Sequence, residues 1–174
     1  MRFACCTDTI EISAIRKCFE GAAPGSVNLG LGQPDFDTPE HIKRAAIQAI
    51  ERGQCGYTPN CGTPELRAAL AEKFHSENGI DYQAEEIMVT SGASEALFLI
   101  IAALVDRGEE VIIGDPAFLS YLELTKLVGG RPISVPLDEK LRLSPEAVAE
   151  RITVKTKLII VNSPSNPTGS VATA

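Results

Sequence analysis

Four short stretches of this chain have unusual composition for plain connections, and one of them could hold a small anion. Thr90-Ser91-Gly92-Ala93-Ser94 offers hydroxyls and a glycine immediately ahead of an apolar helical pattern. Backbone N–H groups at such a helix start, helped by hydroxyls, can hold a phosphate. Gly114-Asp115-Pro116-Ala117-Phe118 places an aromatic ring just beyond an apolar strand pattern. Asn162-Ser163-Pro164-Ser165-Asn166-Pro167-Thr168-Gly169 follows another such strand with two amide side chains and two prolines. Upstream lies Leu29-Gly30-Leu31-Gly32-Gln33-Pro34-Asp35-Phe36, and Tyr57 sits in a Gly-Tyr-Thr-Pro turn sequence. Taken singly, each has a plainer reading: Ser94 as a cap, Phe118 as a core ring, Asn166 as a turn residue, Tyr57 as a half-buried loop aromatic.

These stretches matter together only if secondary structure brings them to one edge. From Ile87 onward, short apolar runs without polar alternation are separated by helical patterns. The runs are Ile87–Thr90, Val111–Ile113, Arg131–Val135 and Leu158–Val161, with helices expected over 94–106, about 118–128 and 145–152. That alternation predicts an α/β fold, three-layered α/β/α with a mostly parallel sheet. In such a sheet ligands bind beyond the carboxyl ends of the strands, and three of the four unusual stretches leave strands at that edge. Upstream, helices are expected over 8–20, 38–52 and 64–78, the last ended by Gly79. Thr38-Pro39-Glu40, Thr63-Pro64-Glu65 and Ser144-Pro145-Glu146 each read as a cap, a first-turn proline and an acid at the positive helix end.

Composition narrows the function classes. The chain has 174 residues, 44% hydrophobic, with a net charge of -7 and no basic cluster, which speaks against nucleic acid. The longest apolar run, Ala96–Val105, is too short to span a bilayer, so no membrane partner is expected. The start, MRFACCTD, lacks the apolar core of a signal peptide, and five cysteines without a Cys-x-x-Cys spacing read as reduced thiols, giving a cytoplasmic expectation and no metal site. His41 and His75 fall on expected surface helices and are given no role.

Order and spacing of the motifs carry a resemblance. Gly32-Gln33-Pro34-Asp35-Phe36, Tyr57-Thr58-Pro59-x-x-Gly62-x-x-x-Leu66-Arg67, Thr90-Ser91-Gly92, Pro116-x-Phe118-x-x-Tyr121 and Asn166-Pro167-Thr168-Gly169 together resemble the fold-type I pyridoxal-phosphate aminotransferases, nearest the aspartate aminotransferases. The resemblance implies that Gly92, Ala93 and Ser94 hold the cofactor phosphate and that Phe118 stacks on the pyridine ring. It implies that Asn166 bonds the ring oxygen and helps hold substrate, that main chain at Gly32 approaches the substrate carboxylate, and that Tyr57 reaches the phosphate of a neighbouring subunit. Amino acids and 2-oxo acids are the implied substrates, and a homodimer or a complementing second chain the implied partner. By this reading residues 1–37 form an N-terminal helix and substrate-loop segment, and 38–174 an incomplete cofactor-binding large domain.

The same resemblance defines what the sequence does not contain. The family's Schiff-base lysine lies in a Ser-x-x-Lys, and no serine here has a lysine three residues later. The aspartate that pairs with the pyridine nitrogen and the arginine that clamps the substrate carboxylate also belong to later chain. The expectation is therefore a truncated aminotransferase, without a catalytic residue of its own and inactive alone. Alternatives are half of a split enzyme, a non-catalytic association module, or a dinucleotide-binding domain. Against the last, Gly30-x-Gly32 has no third glycine, and Pro34-Asp35 stands where a helix should open.

Overall fold

A computed structural model describes residues 4, 6, 7, 10, 23, 25–27 and 32–172. The helix expected over 8–20 and the stretch 28–31, with Gly30, lie outside the described residues. The chain divides into two compact units, one of residues 21–91 and one of residues 92–174 together with 1–20.

The unit 92–174 is built around a three-stranded parallel sheet. Its elements are α3 (Gly92–Leu104), β1 (Glu110–Asp115), α4 (Leu119–Leu127), β2 (Arg131–Pro136), α5 (Pro145–Ala149) and β3 (Thr156–Ile160), preceded in the other unit by α1 (Glu40–Glu51) and α2 (Pro64–Asn78). The strand order is β2-β1-β3, so β1 is the centre. Val111, Ile112 and Ile113 are buried on both faces, as expected for a run without alternation between two parallel neighbours. Ile112 pairs with Ile133 on one side and Ile159 on the other, and Ile113 pairs with Ser134 and Ile160. Pro132 and Pro136 are tolerated because β2 is an edge strand, where a missing N–H costs the ladder little.

The chain steps from β1 to β2 in one direction and then back across β1 to β3. Right-handed crossovers in opposite directions put their helices on opposite faces. One face carries the main core: Ile101 of α3 and Val105 just beyond it meet Val111 and Ile113, with Tyr121, Leu122 and Leu124 of α4 and Leu158 and Ile160 of β3 packed around them. Fully burying one such aliphatic side chain is worth about 1.5–3 kcal/mol. On the other face sit Ile112 and Gly114. A Cβ at Gly114 would lie 2.9 Å from Leu137 Cδ2, so glycine lets the connection after β2 close over the end of β1. That face is covered more thinly, and Ile159 stays 40% exposed.

In the unit 21–91, α2 starts as expected. Thr63 Oγ1 accepts the N–H of Leu66, Pro64 opens the helix, and Gly79 ends it in the left-handed conformation at φ 66°. Ser144 caps α5 in the same way through the N–H of Ala147. Thr38 does not cap α1; the N-cap is Pro39, with no side-chain cap bond. Asp37 takes over this corner, its two carboxylate oxygens accepting from the Thr38 N–H and from Lys43 Nζ at 2.7 and 2.6 Å. The Lys43 ammonium first, then the Thr38 amide, hold its carboxyl below the ordinary range. The apolar stripe expected on α1 exists, but Ile42 and Ile50 are 50% and 66% exposed.

Ile87–Thr90 is not a strand, contrary to the sequence expectation. A strand requires a neighbour, and the sheet among the described residues contains only β1, β2 and β3. The segment instead runs as extended chain after a turn of 3₁₀ helix at Ala84–Glu86, and the N–H of Val89 bonds the carbonyl of Cys61 at 3.0 Å. The approach of Val89 to Gly62 fixes this crossing. Gly62 has φ 96°, and a Cβ there would fall 2.7 Å from Val89 Cγ2 and 2.9 Å from Val89 Cβ. Val89 is branched at Cβ and cannot swing aside without moving its backbone.

Gly62→Ala should therefore destabilise the protein by about 2 kcal/mol or more, through the clash and the positive φ together. Urea unfolding followed by far-ultraviolet dichroism should show a lower midpoint; an unchanged midpoint would contradict the tight crossing.

Candidate functional site

β1 and β3 are parallel neighbours, so their carboxyl ends lie side by side. In an open parallel sheet this is where a crevice forms. A cavity of about 780 Å³ occupies it. Gly114, Pro116 and Ala117 line it from the β1 exit, and Asn162, Ser165 and Asn166 from the β3 exit. The connection from β2 to α5 supplies the remaining wall, with Leu137, Asp138, Leu141 and Arg142.

The β3 exit is tied to itself. Pro164 and Pro167 follow cis peptide bonds and contribute no N–H. The remaining donors are taken up locally. The Ser165 N–H bonds the Ser170 carbonyl at 2.8 Å, and the Gly169 N–H bonds the Ser165 carbonyl at 2.7 Å. The Asn166 N–H bonds Asn162 Oδ1 at 2.8 Å, and the Ala172 N–H bonds Ser163 Oγ at 2.9 Å. Ser170 Oγ reaches across to the Leu141 carbonyl at 2.5 Å, joining this loop to the opposite wall. The side-chain amide of Asn166 makes no hydrogen bond among the described residues, although its backbone is fixed.

The opposite wall turns on Asp138. Its carboxylate accepts from the N–H groups of Lys140 and Arg142 and, through Oδ2, from the Arg142 guanidinium at 3.1 and 3.0 Å. The backbone N–H of Arg142 is the largest cause holding the Asp138 carboxyl below the ordinary range. An acid so saturated stays ionised and is a poor proton acceptor. Glu146, the other acid on the wall, accepts from Ser144 Oγ at 2.6 Å, and that bond holds its carboxyl low as well. Arg142 is the single cation on the cavity wall among the described residues, and it is engaged by Asp138. No lysine lines the cavity. Lys155 and Lys157 lie at the amino end of β3, Lys157 within 4.0 Å of Glu109, and Lys126 in the last turn of α4 bonds Glu123.

The structure gathers only part of the sequence-derived candidate set. Asn166 is on the cavity wall; Phe118 is not a lining residue but adjoins one. It is the N-cap of α4, half-buried, with its ring edge-on to Tyr121 at 5.7 Å. Tyr121 lines the cavity. Gly92, Ala93 and Ser94 form the exposed first turn of α3, with Gly92 at φ 76°. The first amides of a helix have no carbonyl partner within it, so those of Ala93 and Ser94 are available for an anion. Gly32 and Tyr57 belong to the other unit; both are exposed, and Gly32 has open space where a Cβ would stand. Sequence reasoning passed over Asn162 and Ser170 as partners of the Asn166 loop. The signal for Asn162 was an asparagine directly after an apolar run, since short amide side chains in loops bond nearby backbone.

The residues present suit a phosphorylated heteroaromatic cofactor in part: free helix-start amides, an aromatic ring at a strand exit and an unpaired amide side chain. They include no amine for covalent attachment and no unengaged acid for a ring nitrogen on the cavity wall.

Comparison with known proteins bears on the same point. The family model described as aminotransferase class I and II matches residues 24–174. A probable aspartate aminotransferase of Methanocaldococcus jannaschii is 50% identical over 162 residues, covering 93% of this chain and 43% of its own length. An aromatic-amino-acid aminotransferase of Thermococcus litoralis is 43% identical over 171 residues, covering 95% and 44%. The aspartate aminotransferase structure from Rhizobium meliloti superposes with a TM-score of 0.92 at 40% identity, over 99% of this chain and 45% of that one. The chain spans less than half the length of these relatives. Sheet, loop motifs and matched length lead to one conclusion: the chain belongs to the class I and II aminotransferases and has the α/β fold of the pyridoxal-phosphate-dependent transferases.

Proposed function

We propose that this chain supplies one part of the cradle for pyridoxal 5'-phosphate in an enzyme that moves an amino group between an amino acid, such as aspartate, and a 2-oxo acid. The observation that carries the reading is the meeting of the β1 and β3 exits on one cavity, with the Asn166 amide unbonded there. When bound, the cofactor supplies an electron sink for the bond broken at the substrate Cα. The amides at Ala93 and Ser94 bind its phosphate, Phe118 offers a face to its ring, and Asn166 donates to its ring oxygen. Main chain at Gly32 orients the substrate carboxylate. Tyr57 serves the phosphate of a second subunit, so the working unit is a dimer. Residues 1–37 act as an N-terminal and substrate-loop segment, and 38–174 as part of the large domain.

These 174 residues by themselves do not complete the reaction. Proton transfer at Cα needs a base of matched pKa within hydrogen-bond reach. The cavity wall offers Asp138 and Glu146, both bonded and held anionic, and Arg142, engaged by Asp138. A half-reaction assay with the pure chain, pyridoxal 5'-phosphate and several amino acids should give the rate of free cofactor. Turnover clearly above that rate would contradict the reading.

Association is the second part of the proposal, favoured by the apolar surface of the unit 92–174. Phe98, Leu99 and Ile100 of α3 are 40%, 40% and 49% exposed, and Val161 beyond β3 is 66% exposed. Large apolar side chains exposed in this number favour burial against a partner. Sedimentation across a broad concentration range should show dimers or larger species; a monomer throughout would contradict it.

A further inference from the structure

Asn166 can serve a ligand only if its side chain leaves the loop in a fixed direction. Two prolines and a glycine flank it, and its own side chain makes no bond among the described residues. What fixes its backbone is Asn162, whose Oδ1 accepts the Asn166 N–H at 2.8 Å. Asn162 lies two residues beyond Ile160, the last residue of β3. Pro164 and Pro167 cannot donate, which leaves few local bonds that could substitute. The Ser165 and Gly169 amides are spent on closing the turn to Ser170 and Ser165. The Asn162–Asn166 bond therefore ties the backbone of the residue offered to the cavity to the first turn of chain leaving β3.

We infer that Asn162 is a positioning residue for the cofactor-facing amide of Asn166, acting through its side-chain oxygen and not by touching the ligand. The inference rests on the cofactor reading of this cavity. Its chemical requirement is an acceptor at that atom; the Asn162 amide nitrogen is not needed. An isosteric carboxylate should serve, and a methyl group should not.

The test uses pyridoxamine 5'-phosphate, which has no aldehyde to react with surface lysines and whose fluorescence anisotropy reports binding. The whole chain is titrated as wild type, Asn166→Ala, Asn162→Ala and Asn162→Asp, with a urea midpoint measured for each. Wild type should bind, and Asn166→Ala should bind more weakly. Asn162→Ala should weaken binding by roughly three- to tenfold, the range of one lost hydrogen bond, with the urea midpoint lowered by no more than that one bond accounts for. Asn162→Asp should recover at least half of that loss on a logarithmic scale. If wild type binds, Asn166→Ala weakens binding and Asn162→Ala does not, the positioning role is overturned while the cofactor reading stands. Weakening in Asn162→Ala accompanied by loss of the cooperative urea transition, or no recovery in Asn162→Asp, also overturns it. If wild type does not bind, the cofactor reading fails and the positioning role falls with it.

Discussion

The burial of β1 between two parallel neighbours is the constraint on which the rest of this molecule depends. Val111, Ile112 and Ile113 leave water on both faces, and both edges of the strand are paired. The chain adds β2 on one side of β1 and β3 on the other, and the exits of β1 and β3 line one cavity at the carboxyl edge. Gly114 leaves room for the Leu137 side chain of the wall after β2, whose Cδ2 would lie 2.9 Å from a Cβ there.

Polar chemistry is arranged around this apolar frame so that little is left unassigned. Asp138 gathers two backbone amides and a guanidinium and holds the turn between β2 and α5. Ser170 links that turn to the loop after β3 through the Leu141 carbonyl. Within this network the exposed Asn166 amide and the Ser165 hydroxyl make no side-chain hydrogen bond among the described residues, and both line the cavity. Polar groups open to the cavity are available to a ligand, whereas the saturated Asp138–Arg142 pair is structural.

Much of the sheet was legible because its signal is local. Val111–Ile113, Arg131–Val135 and Leu158–Val161 are short apolar runs divided by helical patterns, and all three became strands within two residues of the expected limits. Ile87–Thr90 has the same local character and did not, because strand formation also needs a neighbour, which no property of those four residues reveals. Thr63 and Ser144 cap as their sequence suggests, while Thr38, in the same Thr-Pro-Glu context, loses its place to Pro39 when Asp37 bonds Lys43. The place of Asn166 on the cavity wall was legible from its position after a strand. Asn162 was not singled out, because its importance is a backbone contact four residues away and not a residue type at a recognised spacing.

The central claim is that separate chain segments of the unit 92–174 form a common cofactor-binding surface. Amide chemical-shift mapping of the uniformly ¹⁵N-labelled chain with pyridoxamine 5'-phosphate tests it most directly. The account predicts saturable shifts concentrated at 92–94, 117–118 and 162–169, with the Asn166 side-chain amide among the largest. Shifts scattered over the surface, or confined to segments away from these exits, would contradict it.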